Sequence, residues 1–233
     1  VADQRQAVFT RIREALRAPA PHRHPAPGEH LSASSDHAPA NSDAFRAWLP
    51  PVGPTLDDQV ALFAQNAAAL KADFRQVASP EDAVKQLAAL AAAEGWQRLA
   101  THRDSFVSGI AEKIGLRCFY TDAGYAPMEL EHCDAGITGC DALVAQTGSV
   151  LVSAPGAGGR TLSVLPPHHV VIARRGQMVP DLAAALHVAR QRYAPNWPSF
   201  MSFITGPSRT GDIERILVLG AHGPKKLTIL MLP

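Results

Sequence analysis

Apolar positions recur along this chain in two rhythms, one helical and one in short continuous runs. After Thr55, the residues Val60, Leu62, Phe63, Leu70 and Phe74 form an apolar stripe at helical spacing. Thr55 can cap that helix, and Asp57 and Asp58 suit its positive N-terminal end. Ser79-Pro80-Glu81-Asp82 opens a second helix by the same logic, and Gly95 stops it after Glu94. A strand (WQRLAT), a helix (DSFVSGIAEKIG, closed by Gly115) and a strand (LRCFYT) follow. Such strand–helix–strand alternation predicts a parallel sheet. From Ile137 the rhythm shortens: ALVA and VLVS flank Gln146-Thr147-Gly148-Ser149, and VVIA at 170–173 is a third buried strand. Pro180 begins a helix, DLAAALHVARQRYA, that Pro195 ends, and RILVLG and LTILML are two last strands. The pattern predicts an α/β fold, a three-layer sandwich around a mostly parallel, Rossmann-like sheet.

The N-terminal part differs. Val8, Ile12 and Leu16 give residues 2–17 a short amphipathic helix, whereas residues 18–54 are rich in proline, histidine, serine and alanine without periodicity. Such a segment buries too little apolar surface to offset its ordering entropy, so it reads as a linker or arm. The expected division is a helical, proline-rich arm at 1–54 and an α/β domain at 55–233. His22, His24, His30 and His37 are too loosely spaced to be read as a metal site.

A net charge of +1 gives no global field for nucleic acid or an anionic membrane. Neither an 18-residue apolar run nor a signal peptide is present, so the expectation is a cytoplasmic protein without membrane insertion. Cys118, Cys133 and Cys140 are the only cysteines, and no CxxC occurs. Iron–sulfur clusters want four grouped thiolates, so this chain is not expected to carry one alone.

Several loops carry candidate chemistry. In Ala154-Pro155-Gly156-Ala157-Gly158-Gly159-Arg160 the glycines let backbone amides approach an anion, and the arginine adds a bidentate fork. The spacing is neither a phosphate-binding loop nor a dinucleotide fingerprint, and a flexible connection explains it equally well. Thr147, Gly148 and Ser149 form either a tight turn or a hydroxyl cradle at a strand end. Asp141 reads as a turn residue or as a carboxylate facing the same cleft. Pro166-Pro167-His168-His169 leads rigidly into VVIA, with neighbouring histidines on opposite faces; Arg174 and Arg175 read as an exposed strand end.

The densest mixture is FITGPSRTGDIERILVLGAHGPKK at 203–226. Gly206-Pro207 turns the chain, Ser208 or Thr210 can cap a following helix, and Asp212 and Glu214 suit its first turn. Capping does not account for Arg209 or His222, which look arranged for chemistry.

GITGCDALVAQTGS, then RTLSVLPPHH, then ITGPSRTGDIE and GAHGP resemble the LUD-domain family, in particular its lactate-utilisation C branch. The resemblance covers most of 55–233, and GPSRTGDIE with GAHGP carries it most specifically. It implies a fold related to the sugar-phosphate isomerase and coenzyme A transferase superfamily. It also implies a place beside two iron–sulfur partner proteins that together oxidise L-lactate to pyruvate. The clusters are then expected on the partners, with no cofactor and no metal in this chain. By the superfamily's habit, Thr147, Gly148, Ser149 and Arg160 match loops that hold phosphate or carboxylate.

An α-hydroxy carboxylate needs a guanidinium for its carboxylate and a base near its hydroxyl. Arg209 and Arg160 are candidates for the first role and His222 and His168 for the second. Asp212 and Glu214 complete the acid–base candidates; Ser208, Thr210, Thr147, Gly148, Ser149, Gly158, Gly159 and Asp141 complete the binding candidates. The expectation is that these loop tips converge in one electropositive notch. A stand-alone enzyme on a phosphorylated or coenzyme A-linked metabolite, or a non-catalytic regulatory or interaction module, are the alternatives.

Overall fold

Thr55 caps the first helix through a reciprocal pair of bonds, Asp58 N–H to Thr55 Oγ1 at 3.1 Å and Thr55 N–H to Asp58 Oδ2 at 3.1 Å. The computed structural model describes residues 9–11, 14, 50–124, 127–211, 217–220 and 222–233. Two compact units are present, Val1–Trp48 and Leu49–Pro233. In the first, residues 9–11 and 14 are helical; the rest of the expected arm up to residue 49 lies outside the described residues.

The second unit begins with α1 (Leu56–Ala69), β1 (Asp73–Gln76), α2 (Pro80–Glu94), β2 (Arg98–Thr101), α3 (Ser105–Ala111) and β3 (Arg117–Tyr120). It continues through α4 (Pro127–Glu131), β4 (Ala135–Thr138), β5 (Ala142–Val144), β6 (Ser149–Ser153), β7 (His168–Arg174), β8 (Met178–Val179) and α5 (Leu182–Tyr193). The last strands are β9 (Met201–Ile204), β10 (Arg209–Gly211), β11 (Leu217–Leu219) and β12 (Lys226–Leu232). Ser79 caps α2 with Pro80 in its first turn, and Gly95 closes it in the left-handed conformation.

Six strands form one sheet in the order β1-β12-β7-β4-β2-β3, every neighbouring pair parallel. The chain is an α/β protein, as its alternation predicts. A second sheet, β8-β5-β6-β9, holds the antiparallel hairpin read from ALVA and VLVS. Alternation along the parallel strands decides what lies on each face. Val170, Ile172, Leu230 and Leu232 pack with Leu87 and Ala91 of α2 and Val107 and Ile110 of α3. On the other face Val171, Ala173, Ile229 and Met231 pack with Val60, Phe63 and Ala67 of α1 and with Leu143, Val150 and Val152 of the small sheet. Ala185 and Ala189 of α5 cover that sheet's far side against Ala142, Val144 and Leu151. The expected sandwich therefore carries a second sheet and helix on one face.

Two local readings change. The stripe ending at Phe74 is not one helix: α1 stops at Ala69, the chain reverses through Lys71 (φ 66°), and Phe74 lies on β1. Its ring meets that of Phe63 edge-on at 5.0 Å, so helix and strand residues fill one core. Residues 209–211 do not begin a helix either. They form β10, antiparallel to β11. The Ser208 N–H donates to the Pro224 carbonyl and the Ser208 carbonyl accepts from Gly220 N–H, which commits its backbone to pairing rather than to capping.

His168 and His169 are sheet residues. His168 Nε2 lies 2.9 Å from Thr228 Oγ1, with Trp96 packed edge-on to its ring, and His169 Nε2 lies 2.9 Å from Thr138 Oγ1. Burial, opposed in part by Glu94, pushes the His168 pKa from its ordinary 6.5 down to about 4. Burial, helped by His168, takes His169 down to about 3. The unfolded chain therefore binds more protons than the folded one below about pH 6.5. Stability is full above that pH and falls as pH drops towards about 4. Urea unfolding from about pH 7 to about pH 4.5 should show this decline. It should be shallower in His169→Gln; an unchanged slope would count against a neutral buried imidazole there.

Candidate functional site

The C-terminal ends of β2, β4 and β7 meet at one edge of the parallel sheet, the place where open α/β sheets hold ligands. A cleft of about 160 Å³ opens there. Val107 and Ile172 give it an apolar floor, Gly139 and Gly156 bring backbone to its wall, and Arg174 and Arg192 supply two guanidinium groups.

Each of these groups is positioned by a definite contact. Arg174 ends β7, and its guanidinium stacks 4.0 Å over the Phe106 ring at the start of α3. Its backbone N–H donates to Gln177 Oε1 at 2.6 Å, and Gln177 Nε2 donates to the Cys140 carbonyl at 2.5 Å, which ties the end of β7 to the end of β4. Arg174 forms no ion pair among the described residues.

Arg192, in the last turn of α5, donates through Nη1 to Asp141 Oδ1 at 2.8 Å. Tyr193 OH donates to the same oxygen at 2.6 Å, which leaves Ser153 Oγ–H to donate to the Tyr193 oxygen at 2.7 Å. The Asp141 side chain is fully buried, and its Oδ2 has no hydrogen-bond partner among the described residues. Burial, and then the bond to Asp141, raise the Tyr193 pKa, so the phenol keeps its proton. Burial likewise pushes up the Cys140 thiol, leaving it a protonated wall group and not a nucleophile.

The glycine loop closes over this edge. Gly158 has φ 63°, and a Cβ there would lie 2.4 Å from His102 Cβ and 2.8 Å from Thr121 Oγ1, at the ends of β2 and β3. Only glycine lets the loop sit that low. Thr121 Oγ1 donates to the Gly158 carbonyl at 2.7 Å. The Arg160 guanidinium is taken by the Ser199 carbonyl at 2.8 Å.

The other candidates lie elsewhere. Thr147, Gly148 and Ser149 turn beside the C-terminal end of α1, where Asn66 Nδ2 donates to the carbonyls of Ala145 and Gln146. Ser149 Oγ bonds Thr147 Oγ1 and Thr205 Oγ1, both at 2.8 Å, so these hydroxyls satisfy one another. Arg209 Nη2 donates to the Leu70 carbonyl, capping α1 at its negative end. Leu70 precedes β1, so Arg209 sits at the N-terminal edge of the sheet, opposite Gly158. His168 opens β7 at that edge, and His222, in the bend between β11 and β12, is exposed near the Ser208–Pro224 contact. One notch holding Arg209, His222, Thr147 and Gly158 is therefore not formed. The side chain of Thr210, together with Asp212 and Glu214, lies outside what the structure describes.

Of the expected residues, Asp141 and the glycine loop are at the cleft. Sequence reasoning missed Arg174, Arg192, Gln177 and Tyr193 because they look like an exposed strand end and a basic last helical turn. The usable signal was the order of strands, which places the end of VVIA beside the residue following GIT.

Residues 125–232 match the LUD domain family. The likeness to that family covers a little under half of the chain. Curated relatives include a Lactate utilization protein C of Anoxybacillus flavithermus, 37% identical over 102 residues, or 44% of this chain and 45% of that protein. One from Shouchella clausii is 29% identical over 176 residues, 73% of this chain and 77% of that protein. One from Bacillus subtilis is 35% identical over 103 residues, 43% of each chain. In the first and last of these the chain spans less than half the length of the relative. A solved DUF162 family protein from Deinococcus radiodurans superposes with TM-score 0.60 at 18% identity, covering 78% of this chain and 100% of its own, which shows the shared fold. The matched residues hold β4 to β12 and α5, hence Asp141, Arg174 and Arg192; α3 with Phe106 precedes them.

Arg192→Ala removes the charged partner of a buried carboxylate. It should cost roughly 1–3 kcal/mol of unfolding free energy, and Arg192→Lys should recover part of that. Denaturant titration checks both; a loss within error for Arg192→Ala would show that Asp141 does not depend on it.

Proposed function

We propose that this chain serves lactate utilisation by holding a small carboxylate in the cleft at the C-terminal edge of its parallel sheet. The observation that carries the reading is the pair of guanidinium groups in that cleft, one without an ion pair among the described residues and one fixed by a buried carboxylate. Arg174 takes the ligand's carboxylate, since its planar fork matches two oxygens and its stack on Phe106 limits the entropy lost on binding. Arg192, already held by Asp141, is pre-oriented beside it. Two polar groups line the same cleft: the Asp104 carboxylate can accept from a ligand hydroxyl, and the second N–H of Gln177 Nε2 can donate to a keto oxygen. The relatives named for lactate utilisation favour L-lactate or pyruvate as that carboxylate.

Oxidising lactate removes two electrons and two protons. Iron–sulfur clusters would supply an electron path, and the cysteines here do not fit one: Cys118, Cys133 and Cys140 belong to three different hydrophobic clusters. In this reading the electrons leave through separate iron–sulfur partners, and this chain binds and orients the acid. His102, buried at the end of β2 with its pKa lowered by burial, stays neutral near pH 7 and packs against the glycine loop at Gly158.

Calorimetry with L-lactate and pyruvate, on the chain alone and with iron–sulfur partners added, tests the proposal. Arg174→Ala should weaken binding at least about tenfold and lower lactate-dependent dye reduction in parallel. Arg209→Ala should reduce stability and leave affinity within about twofold. Binding insensitive to Arg174 and lost with Arg209 would reverse the assignment.

A further inference from the structure

At the opposite edge of the sheet lies a larger groove, about 580 Å³, which the carboxylate site does not use. It opens at the N-terminal ends of β1, β12 and β7, and the segment with the densest mixture of polar groups in the sequence walls it through Pro207, Lys225 and Lys226. Its ionic groups sort into used and unused. Arg75 spends its guanidinium on Asp73, at 2.7 Å, and on Gln86 at 3.0 Å. Lys226 Nζ sits between both Glu94 oxygens at 2.6 and 2.5 Å. Lys71 and Lys225 are exposed and form no ion pair among the described residues. Lys71 holds a left-handed conformation that glycine would adopt at lower cost, and so keeps an ammonium at the rim.

An independent feature is His168, which lines the same groove at 4% exposure. Its Nε2 is engaged by Thr228, and its Nδ1 is buried without a hydrogen-bond partner among the described residues. The ring is therefore part of the groove's lining and a reporter of what binds there, with no nitrogen free to reach a ligand.

We propose that this groove is a second ligand site, which takes a small metabolite bearing a phosphoryl group between Lys71 and Lys225, beside the His168 ring. Ammonium groups with rotatable donors suit a phosphoryl group, whose three terminal oxygens carry about two negative charges. A carboxylate would favour an arginine fork, and the groove's one arginine is already committed. Leu90 and Leu227 offer the organic part an apolar wall. The size lies within the range of ordinary metabolite sites. The proposal does not depend on lactate binding at the other edge.

The test is a titration of the full chain, labelled with ¹⁵N in histidine, with glycerol 3-phosphate, inorganic phosphate and citrate. Glycerol 3-phosphate should give a saturable shift of the His168 ring resonances within about 10 mM. Inorganic phosphate should follow the same path more weakly. Lys71→Ala and Lys225→Ala, both at exposed positions, should each weaken binding about three- to tenfold, and Arg174→Ala should leave it unchanged. No saturable shift, a shift indifferent to both lysines, or an equal response to citrate would overturn the assignment.

Discussion

One buried carboxylate organises this molecule. Asp141 falls where β4 has left the parallel sheet and β5 starts the second one, with its N–H on the Leu151 carbonyl. A charge at that depth needs donors, and α5 provides them from Arg192 and Tyr193. Satisfying Asp141 thus pins the last turn of α5 to the junction between the sheets. The same bond puts Arg192 at the mouth of the cleft, so folding and binding share one interaction. The glycine loop can then lie across the strand ends because Gly158 leaves room for His102 and Thr121 beneath it.

That arrangement separates two edges with different chemistry. The C-terminal edge is narrow, with arginine forks and a partly apolar floor, suited to a small planar carboxylate. The N-terminal edge is wide and carries lysines beside a neutral imidazole. Parallel pairing enforces the separation, because all six strands start at one edge and end at the other. Among the described residues, no helix is long and apolar enough to cross a membrane.

Much of the fold was legible because its signals are local. The Thr55 and Ser79 caps, Gly95 and Gly115, and the hairpin around Thr147-Gly148 all act within a few residues. What escaped depends on distant partners. Phe74 looks helical until its strand finds β12, and GPSRTG looks like a helix start until Ser208 pairs with Pro224 and Gly220. The site was harder still. Arg209 reads as a binding residue because its contact, the end of α1, lies 139 positions earlier in the chain. Arg174 and Arg192 read as solvated because only the strand order brings them together. Asp141 and the glycine loop were candidates on residue type alone, and the sequence held no means of showing that they share an edge while His168 and His169 are sheet residues.

The most direct measurement is a crystal structure of the chain soaked with pyruvate, read for where the carboxylate settles. The account predicts density against the Arg174 guanidinium, on the Phe106 side of the cleft and within reach of Arg192. Pyruvate held instead against Arg209 or His222, with the Arg174 cleft carrying none, would contradict it.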